Sequence, residues 1–321
     1  METCDIDVVM PIYNAENYLE LAIRSILQQT YPHFRMVCVD DGSTDASSEI
    51  LTSFAKEDPR VTVHRQENQG LVGALNAGLA RCTAPLIARM DADDIAMPQR
   101  FFLQREFLAR HDDVVAVGTA ILELDSDGAA LGVDSFGISH EAIEADMLRM
   151  KTGMAHPTVM MRREVVEKLG GYRPQYEWIE DLDLWLRMSE IGKLANLPQV
   201  LLCYRQHGSS GTWSVGRKRR ERLLSLMQES YRRRGIRLPN AIVQRCLASR
   251  SPSGPNKWAR KASRNGQWDV ALKHLLRQWK ASPLSVLTWR MSLEAAVRTA
   301  VHRFQGTRQD MPEVPEIKRA A

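Results

Sequence analysis

Four apolar runs in the first third of the chain alternate with segments of helical periodicity. The runs are short and each ends at a loop, which predicts buried strands at 6–12, 34–39, 61–64 and 85–90. The segments between and after them carry apolar residues three and four apart, which predicts helices at 18–29, 47–56, 71–81 and 99–110. Strands joined through helices form a mostly parallel sheet covered on both faces, so the pattern predicts an α/β fold.

The pattern continues less regularly to about residue 205. A strand at 114–124 followed by a polar turn at 125–128 predicts a hairpin. The remaining predicted elements are a helix at 140–151, a strand that opens at 156–161, helices at 164–169 and 182–191, and a strand at 195–204.

The composition changes after this point. Residues 217–237 hold nine Arg or Lys against two Glu, and such a helix is either a solvated face or a contact with anionic lipid or an anionic glycan. Residues 240–304 are helical by pattern and fit one or two tetratricopeptide-like hairpins, too few for a repeat array. We therefore predict a main domain over 1–215, a basic helical extension over 216–304 and a disordered tail over 305–321.

Overall composition adds few constraints. The chain has 321 residues, of which 44% are hydrophobic and 26% charged, with a net charge of +4, as is ordinary for a soluble globular protein. Its five cysteines are scattered and lack zinc-site spacing, which predicts reduced core thiols. No signal stretch or transmembrane run is present. We expect a cytoplasmic protein that at most touches the inner face of a membrane. The basic run has no aromatic platform for nucleic acid.

Polar residues collect just after the predicted strands. Tyr13, Asp41, Asn68 and Asp91 each follow a strand. Ligands of such sheets bind outside the carboxyl ends of the strands, so one rim should collect these side chains.

The densest group of charges is the segment RMDADD at 89–94. Its carboxylates, on Asp91, Asp93 and Asp94, repel one another, and a folded chain tolerates them mainly where a cation or donor groups compensate them. An isolated segment of this kind is more often a solvated acidic turn, but the surrounding motifs favour a site. A dinucleotide-binding fingerprint and a GxxxxGK loop are both absent, so phosphates would be held by a metal and side chains.

These motifs together resemble a known family. The runs VVMPIYNAENYLELAIRSILQQTY, VCVDDGSTD, ENQGLVGALNAGLARC and RMDADD, followed by HPTVMMRR, EDLDLWLR and YRQHGSS, resemble the family 2 glycosyltransferases with the GT-A fold. The resemblance covers about residues 5–215, and the order and spacing of the motifs make it specific. It implies a GT-A (Rossmann-like) sheet flanked by helices, with the basic helices as a C-terminal extension.

The resemblance also implies a donor site. The residues that match the nucleotide-sugar positions are Pro11, Tyr13, Asn14, Asp41, Asn68, Asn76, Asp91 and Ala92. Asp41 would accept a hydrogen bond from a base N–H, which favours uracil or thymine. Asp40 would hold the loop, and Asn68 is either a ligand or a turn residue. Asp93 matches the ligand of a divalent metal, Mn²⁺ or Mg²⁺, and His207 matches a residue that reaches the metal or the diphosphate.

Asp181 matches the general base of the family. It would deprotonate an acceptor hydroxyl, which attacks the sugar in a single displacement with inversion. Glu180 and Asp183 compete for this role, although the apolar neighbours of Asp183 better suit a structural hydrogen bond. His156, Trp178 and Glu180 match the acceptor side. The expected partners are a nucleotide-sugar, with UDP as the nucleotide, and a glycan or lipid-linked acceptor of polysaccharide biosynthesis in the cell envelope.

Two other functions compete with this interpretation. A nucleotidyltransferase is also a parallel-sheet enzyme, but it usually has a Gly-rich basic loop after the first strand that holds a triphosphate. The corresponding segment here, PIYNAEN, is neither Gly-rich nor basic. A non-enzymatic protein could bind an anionic polymer through the basic helix.

Overall fold

The computed structural model describes residues 4–207, 217–248, 255–281, 290 and 311–317. Its first third is a parallel sheet in the order β3-β2-β1-β4. The strands are β1 Ile6–Ile12, β2 Phe34–Asp40, β3 Val61–Arg65 and β4 Leu86–Arg89, and the helices between them are α1 Leu19–Leu27, α2 Ser47–Glu57 and α3 Gly70–Leu79. The four alternating runs of the sequence thus form the four strands that were predicted.

The sheet becomes mixed beyond β4. Its order continues as β4-β8-β6-β9-β5, with β7 paired to β6. β8 runs antiparallel to β4 and β6, whereas β6 and β9 are parallel. The elements of this part are β5 Ile95–Ala96, α4 Arg100–Arg110, β6 Val114–Leu124, β7 Ala130–Asp134, α5 His140–Leu148, β8 Met160–Arg162, α6 Arg163–Lys168, α7 Glu180–Met188 and β9 Lys193–Arg205.

The sheet is buried on both faces. Along β1, Ile6, Val8, Met10 and Ile12 pack in one apolar cluster, whereas Val9 packs in a second. Successive side chains of a strand point to opposite faces, so these two clusters are the two layers that helices cover. The α/β fold class is therefore confirmed. Cys38, Cys82, Cys203 and Cys246 are buried as free thiols, and Cys4 is partly buried.

Three local predictions can be compared with the structure. The hairpin is confirmed, because β6 and β7 pair antiparallel across the 125–128 turn. The strand predicted from His156 was wrong in its start: 156–158 is a short 3-10 helix, since Pro157 has no N–H to join a ladder, and β8 begins at Met160. Helix α7 begins at Glu180, so Asp181 lies within its first turn.

The C-terminal helices pack against the sheet domain. They are α8 Arg217–Arg233, α9 Asn240–Leu247, α10 Pro255–Arg264 and α11 Trp268–Ala281. α10 and α11 form one hairpin through contacts such as Ala259 with Leu275, and Trp258 and Val270 pack with Leu131 of β7. Most of the helix predicted over 282–304 lies outside the described residues. None of the described helices is long and apolar enough to cross a bilayer.

Part of the basic run at 217–237 is paired with acidic side chains. Arg234 bonds Glu144 at 3.0 Å, and its side chain is only 11% exposed. Arg233 bonds Glu190 at 2.9 Å, and Arg222 bonds Glu177 at 3.4 Å. These arginines fasten α8 and the residue after it to the sheet domain, so this part of the run is not a free basic face.

The end of the chain was predicted to be disordered, and for residues 311–317 this was wrong. Met311, Val314 and Ile317 are partly buried against an apolar cluster that includes Ile95, Leu122, Leu124 and Cys203. The three residues recur every third position in MPEVPEI, with the glutamates exposed between them. A chain that turns once in three residues, as prolines favour, places them on one side.

Replacing Met311, Val314 and Ile317 together by Ser should destabilise the protein, because three side chains leave an apolar contact. We expect the free energy of unfolding to fall by roughly 2–3 kcal/mol, measured by chemical denaturation. The matched control is Glu313→Gln with Glu316→Gln, since both side chains are exposed in the same segment. Equal stability of the serine variant and the control would show that the segment does not hold to the sheet.

Candidate active site

The acidic segment after β4 folds into a compact group. Oxygens of Asp91, Asp93 and Asp94 all lie within 4.8 Å of one another. The turn is held by β9, because the Arg205 backbone N–H donates to Asp94 Oδ1 at 2.8 Å and Arg205 Nε donates to the Asp93 carbonyl at 3.0 Å. The three carboxylates are thus fixed by a strand more than 100 residues away in sequence.

His207 follows the end of β9 and lies beside this group. Its Nε2 lies 2.6 Å from Asp93 Oδ2, and its ring is 5.1 Å from that of Tyr18. Asp94 Oδ2 is buried and has no hydrogen-bond partner among the described residues. Partly exposed carboxylates with one imidazole suit a divalent metal such as Mn²⁺ or Mg²⁺, so the residues present fit the ion that the sequence implies.

One buried cation faces the acidic group. Arg89 is 2% exposed and forms an ion pair with Asp91. Its main chain is fixed from behind, since Arg100 Nη2 donates to the Arg89 carbonyl at 2.7 Å. Burial raises the pKa of Asp91, and Arg89 opposes the shift. Burial and then the charges of Asp93 and Asp91 raise the pKa of Asp94 well above its usual value.

The first two loops of the rim are tied together. Tyr13 is 54% exposed beside Pro11, which is buried within β1. Asn14 adopts a left-handed backbone with φ of 50°, and its Oδ1 accepts from the Thr44 backbone N–H at 2.8 Å. The Asn14 amide therefore holds the loop, while the Tyr13 ring remains exposed to solvent.

Asp40 and Asp41 divide their roles at the end of β2. Asp40 Oδ1 accepts from the Ser43 backbone N–H at 2.9 Å, as predicted for the residue that holds the loop. Asp41 Oδ1 accepts from Gln66 Nε2 at 2.7 Å and from the Gln69 backbone N–H at 2.9 Å, and Oδ2 takes part in neither bond.

Asn68 is a turn residue. Its Oδ1 accepts from the Gly70 backbone N–H at 3.3 Å, and a Cβ on Gly42 would come within 3.0 Å of the Asn68 nitrogen. Glycine is thus required where the two loops meet. Of the two interpretations open for Asn68, this contact supports the turn.

Two predicted nucleotide ligands are placed differently. Asn76 donates to the Tyr172 carbonyl at 2.8 Å and accepts from the Tyr172 N–H at 3.0 Å, so both ends of its amide are committed to one main chain. It is a positioning residue rather than a nucleotide ligand. The Ala92 side chain packs in the main apolar cluster and is 8% exposed, which leaves its main chain as the part that can reach a ligand.

Two adjacent carboxyl groups begin α7. Burial and the neighbouring charge of Asp181 raise the pKa of Glu180 to about 8. Burial also raises the pKa of Asp181, whereas the hydrogen bond from the Leu182 amide and the charge of Arg89 lower it. Asp181 is partly exposed and borders a cavity of about 100 Å³, which Met147, Met150, Met154 and Trp185 also line. Asp183, in contrast, is fully buried between Arg173 and Arg187, so its structural role is confirmed.

The segment before α7 is strained and exposed. Trp178 has a φ of 68°, its side chain is 37% exposed, and the Arg222 guanidinium lies 4.9 Å from its ring centre. A bulky residue in the left-handed region costs free energy and is typical of functional sites. His156 is deeper: its Nε2 lies 2.8 Å from Tyr172 Oη, and burial and then Arg89 hold its pKa well below the usual range. His156 is thus a neutral hydrogen-bonding group.

A family model, Glycosyl transferase family 2, matches residues 7–170. This span includes the loops after β1 to β4 and the acidic group. The chain belongs to glycosyl transferase family 2. The fold, the order of the motifs and the match agree, and the chain is an enzyme of the glycosyltransferase class.

Relatives and solved structures extend this family 2 assignment. The amylovoran biosynthesis glycosyltransferase AmsE of Erwinia amylovora is 38% identical over 199 residues, 61% of this chain and 74% of the relative. The O-antigen biosynthesis glycosyltransferase WbnJ of Escherichia coli is 32% identical over 209 residues, 64% of this chain and 81% of the relative.

Two solved structures share the fold. The structure of S. aureus TarS 1–349 with UDP-GlcNAc superposes with a TM-score of 0.62 at 13% identity, covering 94% of this chain and 92% of that one. The mannosyltransferase PcManGT from Pyrobaculum calidifontis, in complex with GDP-Man and Mn²⁺, gives a TM-score of 0.51 at 19% identity, covering 95% of this chain and 88% of that one. The GT-A architecture is therefore confirmed for this family 2 chain.

Several residues of the family 2 site were missed or left as guesses by the sequence. Tyr172 joins His156 to Asn76, yet nothing around GGY marks it. Tyr18 was assigned to a helix, but its ring contacts His207 and lies 4.7 Å from the Arg205 guanidinium. The ion pair between Arg89 and Asp91 is a further feature of this kind. The position of Arg89 directly before a carboxylate cluster was the available signal.

Replacing Glu180 by Gln should remove a pH-dependent loss of stability in this glycosyltransferase. The pKa of Glu180 is about 8 when folded and ordinary when unfolded, so its contribution is complete below the unfolded pKa and is lost as the pH rises toward 8. The free energy of unfolding of the wild type should therefore fall more steeply than that of E180Q between about pH 5 and 8, by up to about 1.4 kcal/mol per pH unit.

Denaturation at a series of pH values measures the difference. The matched control is Glu164→Gln at an exposed position, which should keep the wild-type slope. Parallel curves for the wild type and E180Q would contradict the buried, protonated state of Glu180.

Proposed function

We propose that this enzyme transfers a sugar from a nucleotide donor, with UDP as the nucleotide, to a hydroxyl of a glycan or lipid-linked acceptor in polysaccharide biosynthesis. The transfer inverts the anomeric carbon and uses Mn²⁺ or Mg²⁺. The observation that carries the proposal is that Asp91, Asp93 and His207 lie together at one rim of the sheet. Asp181 lies close enough to this group for its charge to raise the pKa of Asp91. The titles of the TarS and PcManGT complexes and the names of the relatives support it.

The donor end of the site follows from the first loops. The Tyr13 ring stacks on the base, and Asp41 Oδ2, which is outside the loop-holding bonds, accepts its N–H. A ring N–H flanked by carbonyls is present in uracil, which is the reason for choosing UDP. Asp91, held by Arg89, faces the ribose.

The leaving group lies at the acidic group. Asp93 and His207 would hold the metal, which when bound neutralises the charge of the departing diphosphate. Asp94 keeps the turn in place through its bond to the Arg205 N–H. These residues orient the diphosphate and leave the proton transfer to the other end of the site.

Asp181 accepts the proton of the acceptor hydroxyl. Its raised pKa makes the carboxylate a stronger base than an exposed aspartate. Glu180 retains its own proton at neutral pH, so the pair carries one negative charge rather than two. The hydroxyl oxygen then attacks the anomeric carbon on the face opposite the diphosphate, and an α-linked donor gives a β-glycoside.

Peripheral contact with a membrane through the basic segment 217–237 is less well supported by the structure than by the sequence. Arg222, Arg233 and Arg234 are paired with glutamates of the catalytic half. Neutralising them would therefore loosen the packing of α8 as well as remove charge.

Replacing Asp181 by Asn should abolish transfer while keeping donor binding. The amide cannot take a proton, so we expect the turnover rate to fall by about 100- to 10,000-fold, with unchanged affinity for UDP in the presence of Mn²⁺. Transfer is followed with a panel of nucleotide-sugars and UDP affinity by calorimetry. Asp112→Asn, at a carboxylate whose side chain is 99% exposed, is the charge-matched control. Normal turnover by D181N would show that Asp181 is not the general base.

Replacing Asp93 by Ala should abolish stabilisation by UDP plus Mn²⁺. A ligand at 100 times its dissociation constant stabilises a protein by about 2.7 kcal/mol, and this gain would be lost with Asp93 if its carboxylate holds the metal. A thermal-shift series compares UDP, GDP and CDP, each with and without Mn²⁺. Asp112→Ala should behave as the wild type. If D93A keeps the full shift, Asp93 is not the metal ligand. A larger shift of the wild type with GDP than with UDP would show that the donor nucleotide carries guanine rather than uracil.

A further inference from the structure

Helices α10 and α11 form a hairpin that contacts the segments around the candidate metal site. Trp258 of α10 is 7% exposed, and His274 of α11 is fully buried. Their ring centres lie 5.2 Å apart in an edge-to-face arrangement, which adds to the attraction that comes from burial. The two side chains therefore belong to one packed unit, and each of them reaches a different part of the sheet domain.

Trp258 reaches the exit of β9. Its indole N–H donates to Gln206 Oε1 at 2.8 Å. The main chain of Gln206 is held separately, since its backbone N–H donates to the Leu124 carbonyl at the end of β6 at 2.9 Å. His207 is the next residue in the chain, and its Nε2 lies 2.6 Å from Asp93 Oδ2. The side chain of Gln206 thus links α10 to the residue before the candidate metal ligand.

His274 reaches the turn after β6. Its Nε2 lies 2.9 Å from Asp125 Oδ2, and the other oxygen of this carboxylate accepts from two backbone N–H groups of the turn at 2.9 Å. The Ser126 carbonyl of the same turn accepts from the Tyr18 hydroxyl at 3.3 Å, and the Tyr18 ring lies 5.1 Å from the His207 ring. Both members of the aromatic pair are therefore connected with His207, one along the chain and one through Tyr18.

The hairpin is also attached to the sheet by contacts that serve packing. Lys261 Nζ lies 2.8 Å from Glu123 Oε2 of β6 and 2.7 Å from Asp134 Oδ1 of β7, and Trp258 packs with Leu131. The bond from Trp258 to Gln206 differs from these contacts, because it ends on the neighbour of His207. It is directional and mostly shielded from water, so it restricts where the Gln206 side chain can lie.

We propose that the α10–α11 hairpin positions His207 for the metal, and that Trp258 is the positioning residue. A histidine that binds a metal needs its ring held in one orientation, and groups behind the ligand supply this constraint. Here the constraint comes from the bonded Gln206 side chain on the chain before His207 and from the Tyr18 ring packed beside it. This role rests on the proposed function of His207 as a metal ligand, and it makes the C-terminal helices part of the donor site.

The experiment measures how much Mn²⁺ improves the affinity of the full chain for UDP. UDP is titrated by calorimetry in excess Mn²⁺ and again in EDTA, and the ratio of the two dissociation constants is the metal-dependent gain. Trp258→Phe keeps an aromatic ring and removes the N–H, whereas Gln206→Leu removes the acceptor. The matched control Trp279→Phe removes an indole N–H from α11 and leaves the bond between Trp258 and Gln206 in place. His207→Ala tests the metal ligand itself.

We expect W258F, Q206L and the double variant each to reduce the metal-dependent gain by about 5-fold, because all three lose the same hydrogen bond. Their affinity for UDP in EDTA should equal that of the wild type. W279F should keep the gain and H207A should lose it. A fall of affinity in EDTA as large as that in Mn²⁺ would overturn the proposal, since it would indicate a general loosening of the donor site.

The variants also separate this role from the proposed function. A wild-type gain in W258F and Q206L together with a lost gain in H207A would overturn the positioning role alone. A wild-type gain in H207A would overturn the metal ligand and the positioning role with it. Chemical denaturation in EDTA checks that each variant is folded. If W258F does not fold, Q206L decides the outcome, because it removes the same bond from the β9 side.

Discussion

The acidic rim depends on one buried guanidinium. Arg89 forms an ion pair with Asp91, and its charge also acts on Asp94, Glu180 and Asp181. Carboxylates gathered this closely would otherwise favour protonation or force the loops apart. Arg89 is in turn held by Arg100, which bonds its carbonyl. The buried charge of Arg89 at the end of β4 therefore acts on the carboxylates after β4 and on the carboxyl groups that begin α7.

The C-terminal helices are part of the architecture of the site. Asp125, in the turn after β6, is fully buried, and although burial raises its pKa, hydrogen bonds from His274 and Lys273 hold that pKa below its usual value. The same turn accepts a bond from Tyr18 through the Ser126 carbonyl, and Tyr18 packs on His207. Helix α11 thus fixes the turn that supports Tyr18 and, through it, His207.

The sequence was most informative where local patterns decide local structure. The strands β1 to β4 and the position of their polar loops follow from apolar runs and turn residues. The hairpin at 125–128 and the structural role of Asp183 followed in the same way. The predictions from sequence that were wrong share one cause. Asn76, Ala92 and the tail at 311–317 were assigned from residue type, but their roles depend on partners that are distant in sequence, namely Tyr172, the main core and the cluster around Ile95.

By itself the sequence determined the family, the α/β class and the position of the polar loops after the strands, because motif order and hydrophobic period are properties of the chain alone. Tertiary structure decided which polar groups remain available to a ligand. Asn14 and Asn76 hold loops, Asp41 keeps one oxygen outside such bonds, and Arg222, Arg233 and Arg234 of the basic run pair with glutamates of the sheet domain. Hydrogen bonds and ion pairs form between neighbours in space, and only the fold brings those neighbours together.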